Sequence, residues 1–368
     1  MTQPDDDGAS PRRAADELDP MDGIDEVTGP AIGAPGDATT DQTPLPMRLA
    51  PLTTPAGTTA APAVRPSYPT GHRLGRYTLD DVIGIGAFST VYRATDTALS
   101  LPVVVKVLSP MASTAAVERF RNEILFSRRI HHPGFCRIFE LHEEETFDGP
   151  LRYLTMELVQ GRTLGDLMNE GPMSAGRAVH LARGLCDVVS AAHEQGIVHG
   201  DLKPGNIMVR TQPARRGMLG DRRLEARDEL VVLDFGAASA KDIVDTGVRV
   251  GSVRYMAPEL FQRERPSPQS DVWAIGVILY GCLTGGYPFD GKTERDVAEA
   301  TRRPVQPPSA QRPGLGDAVD DVVMGSLATD RSVRFADCRA LAAALDDTLD
   351  RLRERPSLLR RLLAVIGR

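Results

Sequence analysis

The chain has 368 residues, 41% hydrophobic and 25% charged, which fits a soluble globular protein and excludes collagen-like, wholly disordered and disulfide-scaffold chains. A net charge of −7 offers no global basic field for phosphate backbones and argues against general nucleic-acid binding. Four cysteines without a CxxC pair (Cys136, Cys186, Cys282, Cys338) read as reduced structural thiols of a cytosolic protein, and the acidic start (Asp5, Asp6, Asp7) with no run of about 18 apolar residues predicts a chain that neither spans a membrane nor is secreted.

Residues 1–72 hold 12 of the 28 prolines and no aromatic before Tyr68, too little apolar surface to offset the entropy of ordering. They are expected to form a disordered tail, either a bare leader or a regulatory segment with phosphoacceptors such as Thr39, Thr40, Thr53 and Thr54. From Tyr77 the texture becomes β-rich: RYTLDDVIGIGAF, STVYRAT and LPVVVKVL predict three antiparallel strands. Helical spacing over 114–130 follows, then CRIFELH and LRYLTMEL as two more strands, giving a five-stranded sheet with one helix. Beyond Gly161 the signals are helical at 174–196, 269–284 and 335–350. The fold class predicted is α+β: a small β-rich lobe over 73–159 and a larger, mostly helical lobe over 160–350.

Gly84-Ile-Gly86-Ala87-Phe88-Ser89-Thr-Val91 falls at a strand turn, where two glycines let backbone N–H groups approach an anionic ligand and Phe88 can cover it. A dinucleotide-binding reading requires a helix after the motif, but Val91-Tyr92-Arg93-Ala94 continues as strand. Lys106 lies inside the apolar run Val103–Val107, and the whole chain has only four lysines (Lys106, Lys203, Lys241, Lys292) against 39 arginines. A compact cation placed there, paired with Glu123 on the next helix, suits α- and β-phosphates. His199-Gly200-Asp201-Leu202-Lys203-Pro204-Gly205-Asn206 then sets an Asp and an Asn five residues apart on a Pro-containing loop. They can serve as base for a hydroxyl and as Mg²⁺ ligand, with Lys203 near a transferred phosphoryl group. Val231-Val232-Leu233-Asp234-Phe235-Gly236 adds a carboxylate at a strand end, suited to a second metal contact.

Taken in this order, the segments resemble the Hanks-type (eukaryotic-like) serine/threonine protein kinases of bacteria, over about Gly75 to Asp350. The resemblance implies ATP-dependent transfer of a γ-phosphoryl group to Ser/Thr hydroxyls of protein substrates, the chain itself included, with ATP and Mg²⁺ (or Mn²⁺) as cofactors. It implies a glycine-rich loop at Gly84 and Gly86 with Ala87, Phe88, Ser89 and Val91, the nucleotide lysine Lys106 with its partner Glu123, and a hinge from Glu157 to Val159. It further implies Asp201 as catalytic base beside Lys203, Asn206 and Asp234 as metal ligands, the Ala257-Pro258-Glu259 anchor, Asp271-Val-Trp273 opening a buried helix, and a buried Glu259–Arg334 ion pair. Ser252 would contact the catalytic Asp and Lys, which favours Ser/Thr over Tyr acceptors.

Three departures stand out. Gly200 replaces the Arg that commonly precedes the catalytic Asp, so activity is expected not to require phosphorylation of the segment carrying Ser239, Thr246 and Ser252. Ser89 stands where a third glycine is usual, and residues 211–229 form an arginine-rich insertion, either docking surface or solvated loop. The basic tail 351–368 carries an apolar set that an anionic membrane surface, a partner's groove or the helical lobe itself could cover, leaving peripheral attachment at the inner membrane open for a cytoplasmic chain. Two other functions compete: an aminoglycoside-type small-molecule phosphotransferase, which shares the His-Gly-Asp motif, and a pseudokinase scaffold, which predicts loss of a catalytic group.

Overall fold

The computed structural model describes residues 68–86, 88–146, 149–212, 227–234 and 253–366. Its first sheet contains β1 (Arg73–Leu74), β2 (Tyr77–Ile85), β3 (Ser89–Asp96), β4 (Leu101–Leu108), β5 (Ile138–Thr146) and β6 (Gly149–Glu157), in the order β1-β2-β3-β4-β6-β5, with all neighbours antiparallel. The period of two on β4 sorts its side chains onto two faces. Val103, Val105 and Val107 join an outer cluster with Tyr77, Leu79, Tyr92 and Tyr153. Val104 and Leu108 join an inner cluster with Phe120, Ile124, Leu154 and Met156. Lys106 shares the inner face, and this turns it toward helix α1 (Thr114–Arg129), whose buried stripe includes Phe120, Glu123 and Ile124. Ser113 caps α1, its Oγ accepting from Ala116 N at 3.2 Å.

The second lobe contains β7 (Arg162–Thr163), α2 (Leu164–Asn169), α3 (Ala175–His193), a 3₁₀ turn at Pro204–Asn206, β8 (Ile207–Gln212) and β9 (Arg227–Val232), the strands ordered β7-β8-β9. Helices α4 (Pro258–Phe261), α5 (Pro268–Thr284), α6 (Glu294–Ala300), α7 (Pro308–Gln311), α8 (Asp317–Ser326) and α9 (Cys338–Ile366) follow. Every residue of α5 from Ser270 to Leu283 is buried, as a helix apolar on all sides must be, so the lobe is built around it. Gly276 lets α5 approach α8 closely: a Cβ there would lie 2.7 Å from Ser326 Cβ. The lobes are joined by backbone and by packing. Cys136 N donates to Val232 O at 2.9 Å and Val232 N to Gly134 O at 2.8 Å, and Met208 and Val231 complete the inner cluster of the sheet lobe.

Four expectations shift. The first sheet has six strands among the described residues, because the short β1 pairs with β2. The expected tail over 1–72 gives way to packed structure at Tyr68, whose N–H donates to Tyr92 Oη at 3.0 Å and whose ring stacks on His72 at 4.4 Å. Residues 1–67, with Thr39, Thr40, Thr53 and Thr54, lie outside the described residues. The insertion expected over 211–229 narrows, since Thr211 pairs with Asp228 and Gln212 with Arg227; residues 213–226 lie outside the description. An antiparallel ladder extends through backbone bonds whatever its polar side chains. The helix expected to stop at Asp350 runs on to Ile366, carried across that point by Asp347–Arg351 at 2.7 Å and Asp350–Arg353 at 3.0 Å. All four cysteines are free and buried.

Candidate active site

The β2–β3 hairpin places the glycine-rich turn. Gly84 pairs with Val91 and Ile85 with Thr90, and Gly86 N donates to Ser89 O at 2.7 Å. A Cβ on Gly86 would lie 3.1 Å from Ser89 Oγ and 3.2 Å from Ser89 O, so the tight turn favours glycine there. Phe88 and Val91 pack against the inner cluster, and Phe88 O accepts from Ser109 N at 2.7 Å. Ala87 lies outside the described residues.

Below this turn Lys106 meets two carboxylates. Its Nζ donates to both oxygens of Glu123 at 2.8 Å and to Asp234 Oδ2 at 3.3 Å. Burial opposes charge on all three groups. For Asp234 burial pushes the carboxyl up, but the Lys106 ammonium together with the Glu123 hydrogen bond and Lys203 prevails, and the carboxyl falls to about 2. For Glu123 burial and the Asp234 carboxylate prevail over the same ammonium, and the carboxyl rises to about 8. For Lys106 burial is overcome by Asp234 and Glu123, and its pKa is raised.

The catalytic-loop candidates gather on the helical lobe. Lys203 Nζ donates to Asp201 Oδ2 at 2.5 Å, and Asn206 Nδ2 to Asp201 O at 3.3 Å. Leu233 N donates to Asn206 O at 2.9 Å, which holds Asp234 beside the loop. The donor set suits a hard cation. Asp234 Oδ1 is buried and has no hydrogen-bond partner among the described residues, and Asn206 spends its amide nitrogen on Asp201, leaving its amide oxygen on offer. One carboxylate and one amide oxygen, completed by phosphates and water, match Mg²⁺ better than a soft metal.

At the hinge, Val159 is buried in the inner cluster with Met156 and Met208. Glu157 is held from three directions: its N donates to Arg137 O at 2.9 Å, its O accepts from Cys136 Sγ at 3.6 Å, and its carboxylate pairs with Arg210 Nη2 at 2.6 Å. Arg210 is a contact that sequence reasoning missed, since nothing in a strand pattern pairs residues 53 positions apart.

A larger omission is the role of Asp271. The sequence placed it only at the head of a buried helix, yet its carboxylate accepts from His199 N and Gly200 N, both at 2.9 Å, and lies 2.8 Å from His193 Nε2. Gly200 adopts φ 72, a left-handed conformation in which any side chain adds strain. Burial alone would lower the pKa of His193, but Asp271, with Cys338 beside it, raises it from 6.5 to about 10. A histidine raised in this way contributes stability that is complete below the unfolded value and lost as pH rises through about 10. Thermal melts between pH 7 and 10 are expected to show wild type losing stability relative to His193→Gln. Parallel curves for the two proteins would show that the charged pair contributes nothing.

A sheet lobe over a helical lobe, with a lysine, two carboxylates and a loop Asp–Asn pair where they meet, is the architecture of a protein kinase domain. The protein kinase domain family matches residues 77–344. The chain is 34% identical over 283 residues to serine/threonine-protein kinase PknB of Mycobacterium tuberculosis, which covers 74% of this chain and 43% of that protein. It is 31% identical over 280 residues to PknE of the same species, covering 74% and 46%. The crystal structure of the PknI kinase domain of Mycobacterium tuberculosis superposes with a TM-score of 0.56 at 26% identity, covering 77% of this chain and 100% of that one. The chain belongs to the protein kinase family, with the Hanks-type bacterial serine/threonine kinases, and spans less than half the length of the curated relatives it matches.

Proposed function

We propose that the chain transfers the γ-phosphoryl group of ATP to Ser/Thr hydroxyls of proteins, itself included, as a cytoplasmic bacterial signalling kinase that uses Mg²⁺. The observation that carries this reading is the junction at Leu233–Asn206, which brings the Lys106–Glu123–Asp234 group to the loop bearing Asp201 and Lys203. ATP would lie between the lobes under the Gly84–Val91 turn, its base along Glu157 to Val159 and its phosphates on Lys106. Asn206 and Asp234 would hold the cation, which when bound neutralises charge on the phosphates. Asp201 would accept the proton of the attacking hydroxyl while Lys203 faces the transferred group. The pseudokinase alternative is disfavoured because Lys106, Glu123, Asp201, Asn206 and Asp234 are all present, and the small-molecule alternative by the family match through residue 344.

The domain plan that goes with this reading is a tail ending near residue 67, the kinase core, and the basic segment 351–368 as a contact for an anionic membrane or a partner. No described helix is long and apolar enough to cross a membrane. The test is incubation with labelled ATP and Mg²⁺, with and without a basic protein acceptor and an aminoglycoside, followed by phosphosite mass spectrometry. Label on Ser/Thr of chain or acceptor is expected. Label on the aminoglycoside alone would replace this reading with small-molecule transfer, and nucleotide binding without transfer would replace it with a scaffold.

A further inference from the structure

We propose that Arg210 is a positioning residue for nucleotide binding, one that braces the hinge and so sets how tightly ATP is held, an inference that rests on the protein kinase reading. Its strand fixes its direction. Val209 is buried in the core of the helical lobe, so its neighbours Met208 and Arg210 face the opposite way. Met208 enters the inner cluster of the sheet lobe beside Met156 and Val159. Arg210, one step further along that face, meets Glu157 at the start of the hinge, Nη2 donating to Oε1 at 2.6 Å. Asn206, the candidate cation ligand, closes the turn from which the same strand begins.

The hinge rests on β8 at both ends. Just beyond its far end, a Cβ on Gly161 would lie 2.5 Å from Val209 O and 3.5 Å from Arg210 Cα, so the chain leaves the hinge in close contact with the strand's backbone. At the near end the Glu157 N–H and carbonyl are bonded to Arg137 and Cys136, just ahead of β5 in the sheet lobe, while its carboxylate crosses to Arg210 in the helical lobe. With side chains 32% and 31% exposed, the two charges are less screened than an open surface pair. Loss of the guanidinium releases the near end while Gly161 stays seated. The lobes then sample arrangements in which Lys106 and the loop of Asn206 no longer face one nucleotide, and apparent affinity falls with the fraction that remains competent. Bound ATP restores that fraction, so turnover at saturation is unaffected.

The test measures the Kd of ATP with Mg²⁺ by calorimetry, and KM for ATP and kcat in phosphoryl transfer to a basic protein acceptor, beside Tm for each variant. Arg210→Gln is expected to raise Kd and KM about tenfold, the worth of one hydrogen bond to a charged group, with kcat at saturating ATP unchanged. Arg210→Lys, which keeps the charge, should recover part of that loss. Glu157→Gln should match Arg210→Gln, and the two together should raise Kd no further than either alone, since both remove one contact. Exchanging the charges, Glu157→Arg with Arg210→Glu in one chain, should restore affinity that each change alone removes. A lower Tm with unaltered Kd in Arg210→Gln would make the pair a stabilising contact and nothing more, and would overturn the inference while the kinase reading stands; so would losses that add in the Gln–Gln double variant. A wild type that binds no ATP overturns the kinase reading itself, and this inference with it.

Discussion

Asp201→Asn is expected to lower kcat by about 10³-fold, within the usual range for loss of a general base, while the chain still binds ATP. The amide keeps the shape of the carboxylate and can still accept from Lys203, which lies 2.5 Å from Oδ2 in wild type. What disappears is the negative charge proposed to take the proton of the attacking hydroxyl. Nucleotide binding should survive, because Lys106, Asn206 and Asp234 do not depend on the Asp201 side chain: Asn206 bonds to its backbone carbonyl, and Asp234 is reached through Leu233 N. The measurement is turnover beside the ATP-induced rise in Tm, which at a hundred times Kd corresponds to about 2.7 kcal/mol. Retained turnover would remove Asp201 from the mechanism, and loss of both turnover and the Tm rise would make it a structural residue.

The largest effect on stability is expected at Arg334→Met, a loss of about 3–5 kcal/mol, the usual result of breaking a buried pair by removing one partner. Arg334 is 0% exposed, donates to Glu259 Oε1 at 2.7 Å and Oε2 at 3.1 Å, and also serves Ala328 O at 2.9 Å and Gln269 O at 3.1 Å. Its guanidinium lies 5.0 Å from the centroid of the Trp273 ring. Removing it strands the Glu259 carboxylate and takes from the Ala328 carbonyl the partner it has at 2.9 Å. On a lobe of this size the melting temperature should fall by about 10 °C. Adding Glu259→Leu to the same chain should recover a large part of the loss, since the stranded charge costs more than the pair contributes. If the double variant is no more stable than Arg334→Met, the carbonyl contacts and the packing on Trp273 carry the effect instead.

Much of the site could be read in the sequence because its residues break local rules. Lys106 interrupts a valine strand in a chain nearly without lysine, and Glu123 falls where helical spacing turns an acidic residue inward between Phe120 and Ile124. Asp201, Asn206 and Asp234 sit at fixed offsets from Pro204 and a strand end, as local geometry demands. Other contacts were invisible because their causes are tertiary. That Asp271 receives two loop amides depends on where α5 lies under residues 199 and 200, and that Arg210 finds Glu157 depends on how the lobes meet. Tyr68 joins the fold through one stacked histidine and one hydroxyl, too few residues to leave a period. The reach of α9 past Asp350 was hidden because its ion pairs look the same on an isolated helix as on a packed one.

The tie between Asp271 and the loop amides also divides the molecule by how long its parts stay closed. Asp271 belongs to a helix with every residue from Ser270 to Leu283 buried, and such segments open only when the whole domain unfolds. His199 and Gly200 therefore borrow that lifetime, and their amides should exchange with deuterium as slowly as those of α5; fast exchange at either would break the link. The glycine-rich turn, held by the Gly86–Ser89 and Ser109–Phe88 backbone bonds and with none of its described residues from Gly84 to Ser89 buried, stands toward the opposite end of the scale. On the proposed function, chemistry would thus be anchored to a part of the chain that opens late, and nucleotide entry and exit to a part that opens earlier.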